Sequence, residues 1–168
     1  MESPELFDSL YDRYFSRVFA YFSVCFGSDT AEDLAQTVFL KLWHFLRRPG
    51  RVLPDNFKAF VFRVAVNVKN DYLRQKRRSP LSVEYDEERK TQVVELEPNM
   101  LDSMSVELAL SRLRTEERDV LLLKNAGLNS GEIAKIYGIS SSAVRSRLSA
   151  ARAHFQKILV QYGVKCDA

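Results

Sequence analysis

Two cysteines and two histidines in 168 residues leave little from which a metal centre or a nucleophilic site could be built. Cys25 and Cys166 are too few and too far apart for a zinc site or a disulfide framework, and they suit a reducing compartment, so a cytoplasmic protein is expected. His44 and His154 fall in helical patterns without partners at ligand or catalytic spacing. Long apolar runs are missing as well. Val18 to Phe26 is the most apolar stretch, far short of the ~20 residues a membrane span needs, and no small-residue cleavage site follows it. Neither a signal peptide nor membrane insertion is expected. The clustered carboxylates, His/Cys set or phosphate-cradling glycine loop of an enzyme acting on nucleic acid are also missing. The expectation is no enzyme, no metal and no cofactor. No period-two strand pattern competes with the helical ones, which points to an all-α fold.

What the chain does have is apolar content, 46%, enough to bury one core or two small ones. Phe7, Leu10, Tyr11, Tyr14, Phe15, Val18, Phe19 and Phe22 recur at three- and four-residue steps, the spacing of one helix face. Gly27 ends that helix, Ser28 or Asp29 can cap the next, and Leu34, Val38, Leu42 and Phe45 give the second helix its buried side. Pro49-Gly50 and Pro54 then break the chain. A third helix is predicted from about Phe57 to Arg78, with Phe57, Val61, Val64, Ala65, Val68 and Tyr72 inward. Its opposite face carries Arg63, Asn67, Asn70, Asp71 and Arg74 and runs into Arg77 and Arg78. Cations there suit the negative end of the helix dipole, but amides mixed with cations can also hydrogen-bond base edges and phosphates.

Charge divides the chain into three. The balance is +4 over residues 1–80, −5 over 81–103 and +4 over 104–168. The prediction is two small helical domains, 1–80 and 104–168, joined by a flexible acidic linker over 81–103. Two modest basic modules suggest two separate contacts with a polyanion. In the second module Val106, Ala109, Leu110 and Leu113 share a face, Thr115 can cap a helix that opens with Glu116-Glu117, and Val120 to Leu123 supply further core.

Gly127 to Leu148 reads as a helix-turn-helix. Asn129 can cap its first helix with Glu132 reaching back as in a capping box, Gly138 suits a left-handed turn, and Ser140 can cap the second helix. Ala134 is small where the helices cross, and Ile133, Ile139, Val144 and Leu148 lock them together. The second helix would present Arg145, Ser146, Ser149 and Arg152, with Ser141, Ser142 and Arg147 beside them, opposite its apolar stripe of Val144, Leu148, Ala151 and Phe155. That face can enter a major groove.

With both halves in view, the chain resembles a bacterial RNA polymerase sigma factor of the extracytoplasmic-function group. Ala31-Glu-Asp-Leu-Ala-Gln-Thr-Val-Phe-Leu-Lys-Leu-Trp43 is similar to the family's helix that docks on the β′ coiled coil. The resemblance makes Asp33, Gln36, Phe39 and Leu40 polymerase contacts, with Thr37 where the family often has an acidic residue. Phe57 to Arg74 resembles the helix that melts and reads the minus-ten element. That likeness gives Arg63, Asn67, Asp71, Arg74, Arg77 and Arg78 reading or positioning roles, and makes the loop Pro54, Asp55, Asn56 a holder for a flipped base. Phe57 and Phe60 are candidate stacking residues, although Phe57 falls on the buried stripe. Leu113 to Leu148 is similar to the minus-thirty-five-reading domain, with Arg145 and Ser146 at base-contacting positions and Ser149 and Ala150 smaller than is common there. The implied partners are core polymerase, through the β′ coiled coil and the β flap, promoter DNA and, where one exists, an anti-sigma protein. The C-terminal half alone also fits a LuxR-type regulator that acts without polymerase. Its amino-terminal domain should contain strands, and none is predicted here.

Overall fold

The computed structural model describes residues 3–79 and 101–163, where all regular structure is helical. The helices are α1 (Ser3–Phe26), α2 (Ser28–Leu46), α3 (Phe57–Arg78), α4 (Leu101–Arg112), α5 (Thr115–Asn125), α6 (Ser130–Tyr137) and α7 (Ser141–Gln161). α3 has the predicted bounds. α4 begins at Leu101, so the last residues assigned to the acidic linker are helical. The rest of that linker, like Cys166, lies outside the described residues.

Two expected caps are replaced by something tighter. Gly27 itself is the cap of α2, at φ 84° and ψ 167°, so the chain turns in a single left-handed residue and α2 starts at Ser28. Neither Ser28 nor Asp29 is needed as a cap there, and Asp29 meets the positive end of the helix from within its first turn. Thr115 is the first residue of α5 rather than its cap; Arg114 precedes it with no side-chain cap bond. The helix-turn-helix caps form as predicted. Asn129 accepts from the Glu132 amide and Glu132 accepts from the Asn129 amide, both at 2.9 Å. Gly138 sits in the left-handed region, and Ser140 accepts from the Ala143 amide at 3.1 Å.

α1 and α2 meet along an aromatic seam, Phe7 on Trp43 at 5.2 Å and Tyr11 on Phe39 at 5.1 Å between ring centroids. α3 closes this bundle with Val61, Phe62, Ala65 and Val66, all buried. In the second group α7 is the central strut: Val144, Leu148 and Ala151 are buried, and α4, α5 and α6 all pack against it. Val106, expected inward on α4, is 39% exposed.

The two groups are not held apart. A single cluster of buried side chains runs from Leu10 and Phe22 through Val68 to Val120, Ile133 and Leu148, with α3 touching α6 and α1 touching α4. Periodicity shows which face of a helix is buried but not which element covers it. Here part of the cover for α1 and α3 comes from the other group.

Gly138 offers a test of the turn. Its φ is +65° and nothing lies within 4 Å of an added Cβ, so Gly138→Ala should lose only conformational energy, about 1–2 kcal/mol. A chemical-denaturation series reads this directly; an unchanged midpoint would mean the turn tolerates a side chain.

Candidate nucleic-acid and partner interface

α2 spends one face on the core and leaves the other free. Asp33, Gln36 and Leu40 all point outward, and Leu40 is 56% exposed, unusual for a leucine beside a filled core. Thr37 Oγ1 donates to the Asp33 carbonyl at 2.9 Å, so this hydroxyl is turned back onto the helix. Phe39 is not part of that face. It is 2% exposed and packs among Phe7, Tyr11 and Phe15, because the ring fills the α1–α2 seam.

Between α2 and α3 the chain runs through an irregular loop to Asn56, which caps α3 by accepting from the Ala59 amide at 3.1 Å. Pro54 is half-buried, and Asp55 and Asn56 are exposed. Phe57 and Phe60 are both half-buried against the core, with Phe60 on Phe45 at 4.8 Å. Neither ring is freely available for stacking. The predicted polar stripe of α3 is present: Arg63, Asn67, Asn70, Asp71 and Arg74 are exposed, continuing into Arg77 and Arg78 at the helix end. Arg74 pairs with Asp71 at 2.8 Å, an exposed contact of small net energy that holds the guanidinium on the stripe.

An open cleft of about 690 Å³ lies beside that stripe, lined by Lys41 and His44 from α2, Arg48 just past its end, and Val64 and Asn67 from α3. Neither Lys41 nor Arg48 was singled out from sequence, although the spacing of Lys41 and His44 places those two on one helix face. A cationic wall next to an amide is suited to a phosphate backbone whose bases reach Asn67.

On α7, Arg145, Ser146, Ser149 and Arg152 form an exposed face opposite Val144, Leu148 and Ala151, with Ala150 also exposed. Ser142 is exposed and lies 3.2 Å from the Ser140 hydroxyl; Ser141 and Arg147 are half-buried. The exposed face of α7 therefore carries Arg145 and Arg152 separated by small residues.

A polar knot at the junction of the two groups was not foreseen. Lys69 on α3 and Asp119 on α5 form an ion pair at 3% and 4% exposure. The Lys69 ammonium also lies 5.8 Å from the centre of the Tyr21 ring. Nearby, Asn56 Nδ2 donates to Glu132 Oε1 at 2.6 Å, and Lys58 Nζ donates to the Gly127 carbonyl at 2.7 Å. The structure thus brings the loop at the head of α3 against the start of the helix-turn-helix.

Burial, then the Asp119 carboxylate, raises the hydroxyl pKa of Tyr21 and Tyr137 well above 10.0. Burial likewise pushes the Cys25 thiol up, opposed by Arg118. A raised folded-state pKa means the hydroxyls' contribution is intact below pH 10 and is lost as pH rises past it, because the unfolded chain ionises first. Alkaline titration followed by tyrosinate absorbance should show at least two of the seven tyrosines ionising only as the fold opens. Smooth ionisation of all seven in a folded chain would contradict the knot.

Sigma-70 region 2 matches residues 7–79, and Sigma-70, region 4 matches residues 103–155. A probable RNA polymerase sigma factor, RfaY, from Xanthomonas campestris pv. campestris is 32% identical over 139 residues, 78% of this chain. This chain spans only 34% of that relative's length. Among solved structures, CnrH in complex with the cytosolic domain of CnrY matches at TM-score 0.66 and 25% identity, over 94% of this chain and 90% of that one. The sigma factor RpoE in complex with the anti-sigma factor NepR, from Bartonella quintana, matches at TM-score 0.69 and 24% identity, over 91% and 96%. The fold is that of a two-region, all-helical transcription protein. The chain belongs to the sigma-70 family. A region 2 match over the first half disfavours the stand-alone LuxR-type regulator, whose likeness is confined to the second.

Proposed function

We propose that the chain is an alternative sigma factor of the extracytoplasmic-function group, which binds core RNA polymerase and directs promoter-specific initiation. The observation that carries this reading is the pairing, in one chain, of region 2 and region 4 with two exposed faces of the right chemistry. Residues 1–80 act as the docking and minus-ten domain, and residues 104–168 as the minus-thirty-five domain, with the acidic 81–103 segment between them. Asp33, Gln36 and Leu40 meet the β′ coiled coil, region 4 meets the β flap, and both read promoter DNA. The work belongs to the cytoplasm and needs no cofactor. It is not enzymatic: the protein supplies binding energy, and polymerase supplies the chemistry. The RpoE relative was solved with an anti-sigma factor, and a protein of that kind is a reasonable partner here.

The mechanism follows from the faces. Each basic surface is modest, so duplex binding by the free chain is weak, and holding both on polymerase raises their effective concentration on one promoter. Extruding a base costs a few kcal/mol, offset by contacts around Pro54, Asp55 and Asn56, while Asn67 and Arg74 position the strand. Mixing the purified chain with sigma-free core polymerase and scoring promoter-specific transcripts tests the reading; no complex on a sizing column would overturn it.

Asp33→Ala with Gln36→Ala should abolish transcription at unchanged helicity, because neither side chain contributes to the core. Core binding measured by sedimentation would settle it, and normal binding by the double variant would remove this face from the interface. Arg145→Ala should relax discrimination at one upstream position by roughly 1–3 kcal/mol, whereas Arg152→Ala should weaken all sequences alike and reduce the salt slope by about one unit. Holoenzyme binding to a panel of point-substituted promoters at several salt concentrations separates the two. A uniform loss with Arg145→Ala would reduce that residue to a positioning contact.

A further inference from the structure

Three stretches far apart in sequence meet on one oxygen at the end of α2. Ser3, in the first turn of α1, donates its hydroxyl hydrogen to the Leu46 carbonyl at 3.1 Å and accepts from Arg51 Nη2 at 3.0 Å. Leu46 is the last residue of α2, and its carbonyl is one of those that a helix end cannot satisfy from within. α1 therefore supplies the missing donor across 43 residues. Arg51 arrives from the other side, 48 residues from Ser3, and brings a cation to the negative end of the same helix. Neither Ser3 nor Arg51 has a part in the docking and reading roles given above.

Arg51 has little else to hold. Its Nε is buried and has no hydrogen-bond partner among the described residues, so the guanidinium is partly stripped of water and leans on the Ser3 oxygen. Directly after it the chain turns outward: Val52 is 86% exposed and Leu53 43%. Apolar side chains that face solvent gain little from burial, so they do little to fix the backbone that carries them. The next fixed point is Asn56, tied to the Ala59 amide as the cap of α3. The span from Val52 to Asp55, stiffened by the ring of Pro54, thus runs between two tethers, Arg51 on Ser3 and Asn56 on α3.

A loop that must hold an extruded base gains from having its shape before the base arrives, because the cost of ordering it afterwards is subtracted from binding. Releasing Arg51 keeps the Asn56 end fixed and frees the other, so Pro54 and Asp55 sample positions from which the base is not held. The helices need this tether less. α1 and α2 are already joined by the ring contacts of Phe7 with Trp43 and Tyr11 with Phe39. Asp33 and Gln36 lie well before Leu46 on α2, at least about 15 Å along its axis at 1.5 Å per residue, so the docking face is remote from the tether.

We propose that Ser3 is a positioning residue for promoter opening: its hydroxyl, through Arg51, presets the loop that takes the extruded base. The role rests on the reading of Pro54, Asp55 and Asn56 as the holder of that base. Ser3 acts through Arg51 and need not touch DNA itself.

The test uses holoenzyme made from core polymerase and the full chain as wild type, Ser3→Ala, Ser3→Thr, Arg51→Ala and the double variant Ser3→Ala with Arg51→Ala. The probes are forked fragments of a promoter it transcribes, in which single minus-ten nucleotides of the open strand are made abasic, one at a time. An abasic nucleotide keeps its sugar and phosphate and lacks only the base, so its penalty separates base capture from backbone contacts. In the wild type one position should cost about tenfold in affinity, the order expected for a well-held base. Ser3→Ala should cut that penalty to about threefold or less while binding the abasic fragment as the wild type does. Ser3→Thr keeps the hydroxyl and should restore the full penalty. Arg51→Ala should match Ser3→Ala, and the double variant should be no worse than either, because each change removes the same tether. Core affinity by fluorescence anisotropy and helicity by circular dichroism should stay at wild-type values throughout.

The proposal is overturned if Ser3→Ala keeps the full penalty, if it weakens intact and abasic fragments alike, or if the two single effects multiply in the double variant. Loss of helicity or core affinity in both single variants would make the contact a staple of the fold and overturn it as well; if only one is so affected, the other decides. A wild-type holoenzyme with no costly abasic position would refute the base-holding reading of the loop, and this role with it. A wild-type penalty that Ser3→Ala leaves untouched refutes the role of Ser3 alone.

Discussion

α3 is wedged on two sides, and most of what is distinctive about this chain follows from that wedge. Val61, Phe62, Ala65 and Val66 seal it to α1 and α2, while Val68 and Lys69 meet the second group. Only one stripe is left for solvent, and it carries Arg63, Asn67, Asp71 and Arg74. A helix buried on both flanks cannot rotate to re-aim its polar side. That polar stripe is therefore held rigid, and it is defined by what the other faces cannot give up.

The second consequence is energetic. The apolar part of the junction, with Val68 on one side and Val120 and Ile133 on the other, favours closure through buried area. Lys69 and Asp119 add specificity of alignment more than strength, since an ion pair at this depth recovers in attraction about what it loses in hydration. Removing one partner is a different matter, because a lone buried charge has nothing to offset it. The pair thus fixes the register in which the halves meet.

Much of this was legible in the sequence, for reasons that can be named. The bounds of α3 follow from Pro54 and Asn56 at one end and the cationic run at the other, and the capping box of Asn129 and Glu132 is written in neighbouring residues. Local signals read well locally. Phe39 was misplaced as a docking residue because a helix face seen alone does not show that α1 covers part of it with Phe7, Tyr11 and Phe15. Lys69 sat next to the polar stripe in sequence and looked like any solvated cation. Its partner lies 50 residues away on α5, and no periodicity carries that information. Lys41 and His44 were readable in principle, being one helix face, but their meaning, like that of Arg48 just past the helix end, depends on α3 lying alongside.

Asn56 closes the account with a point of chemistry. Its carboxamide oxygen is engaged by the Ala59 amide as the cap of α3, while its NH2 group donates one hydrogen to Glu132 and keeps a second. An amide anchored through its oxygen cannot turn over to offer an acceptor without undoing the first turn of the helix. The Asn56 amide is consequently held in one orientation, with its NH2 turned to donate to an acceptor such as a carboxylate, carbonyl or phosphate oxygen. The fold's need for a cap has thereby fixed which way this amide points.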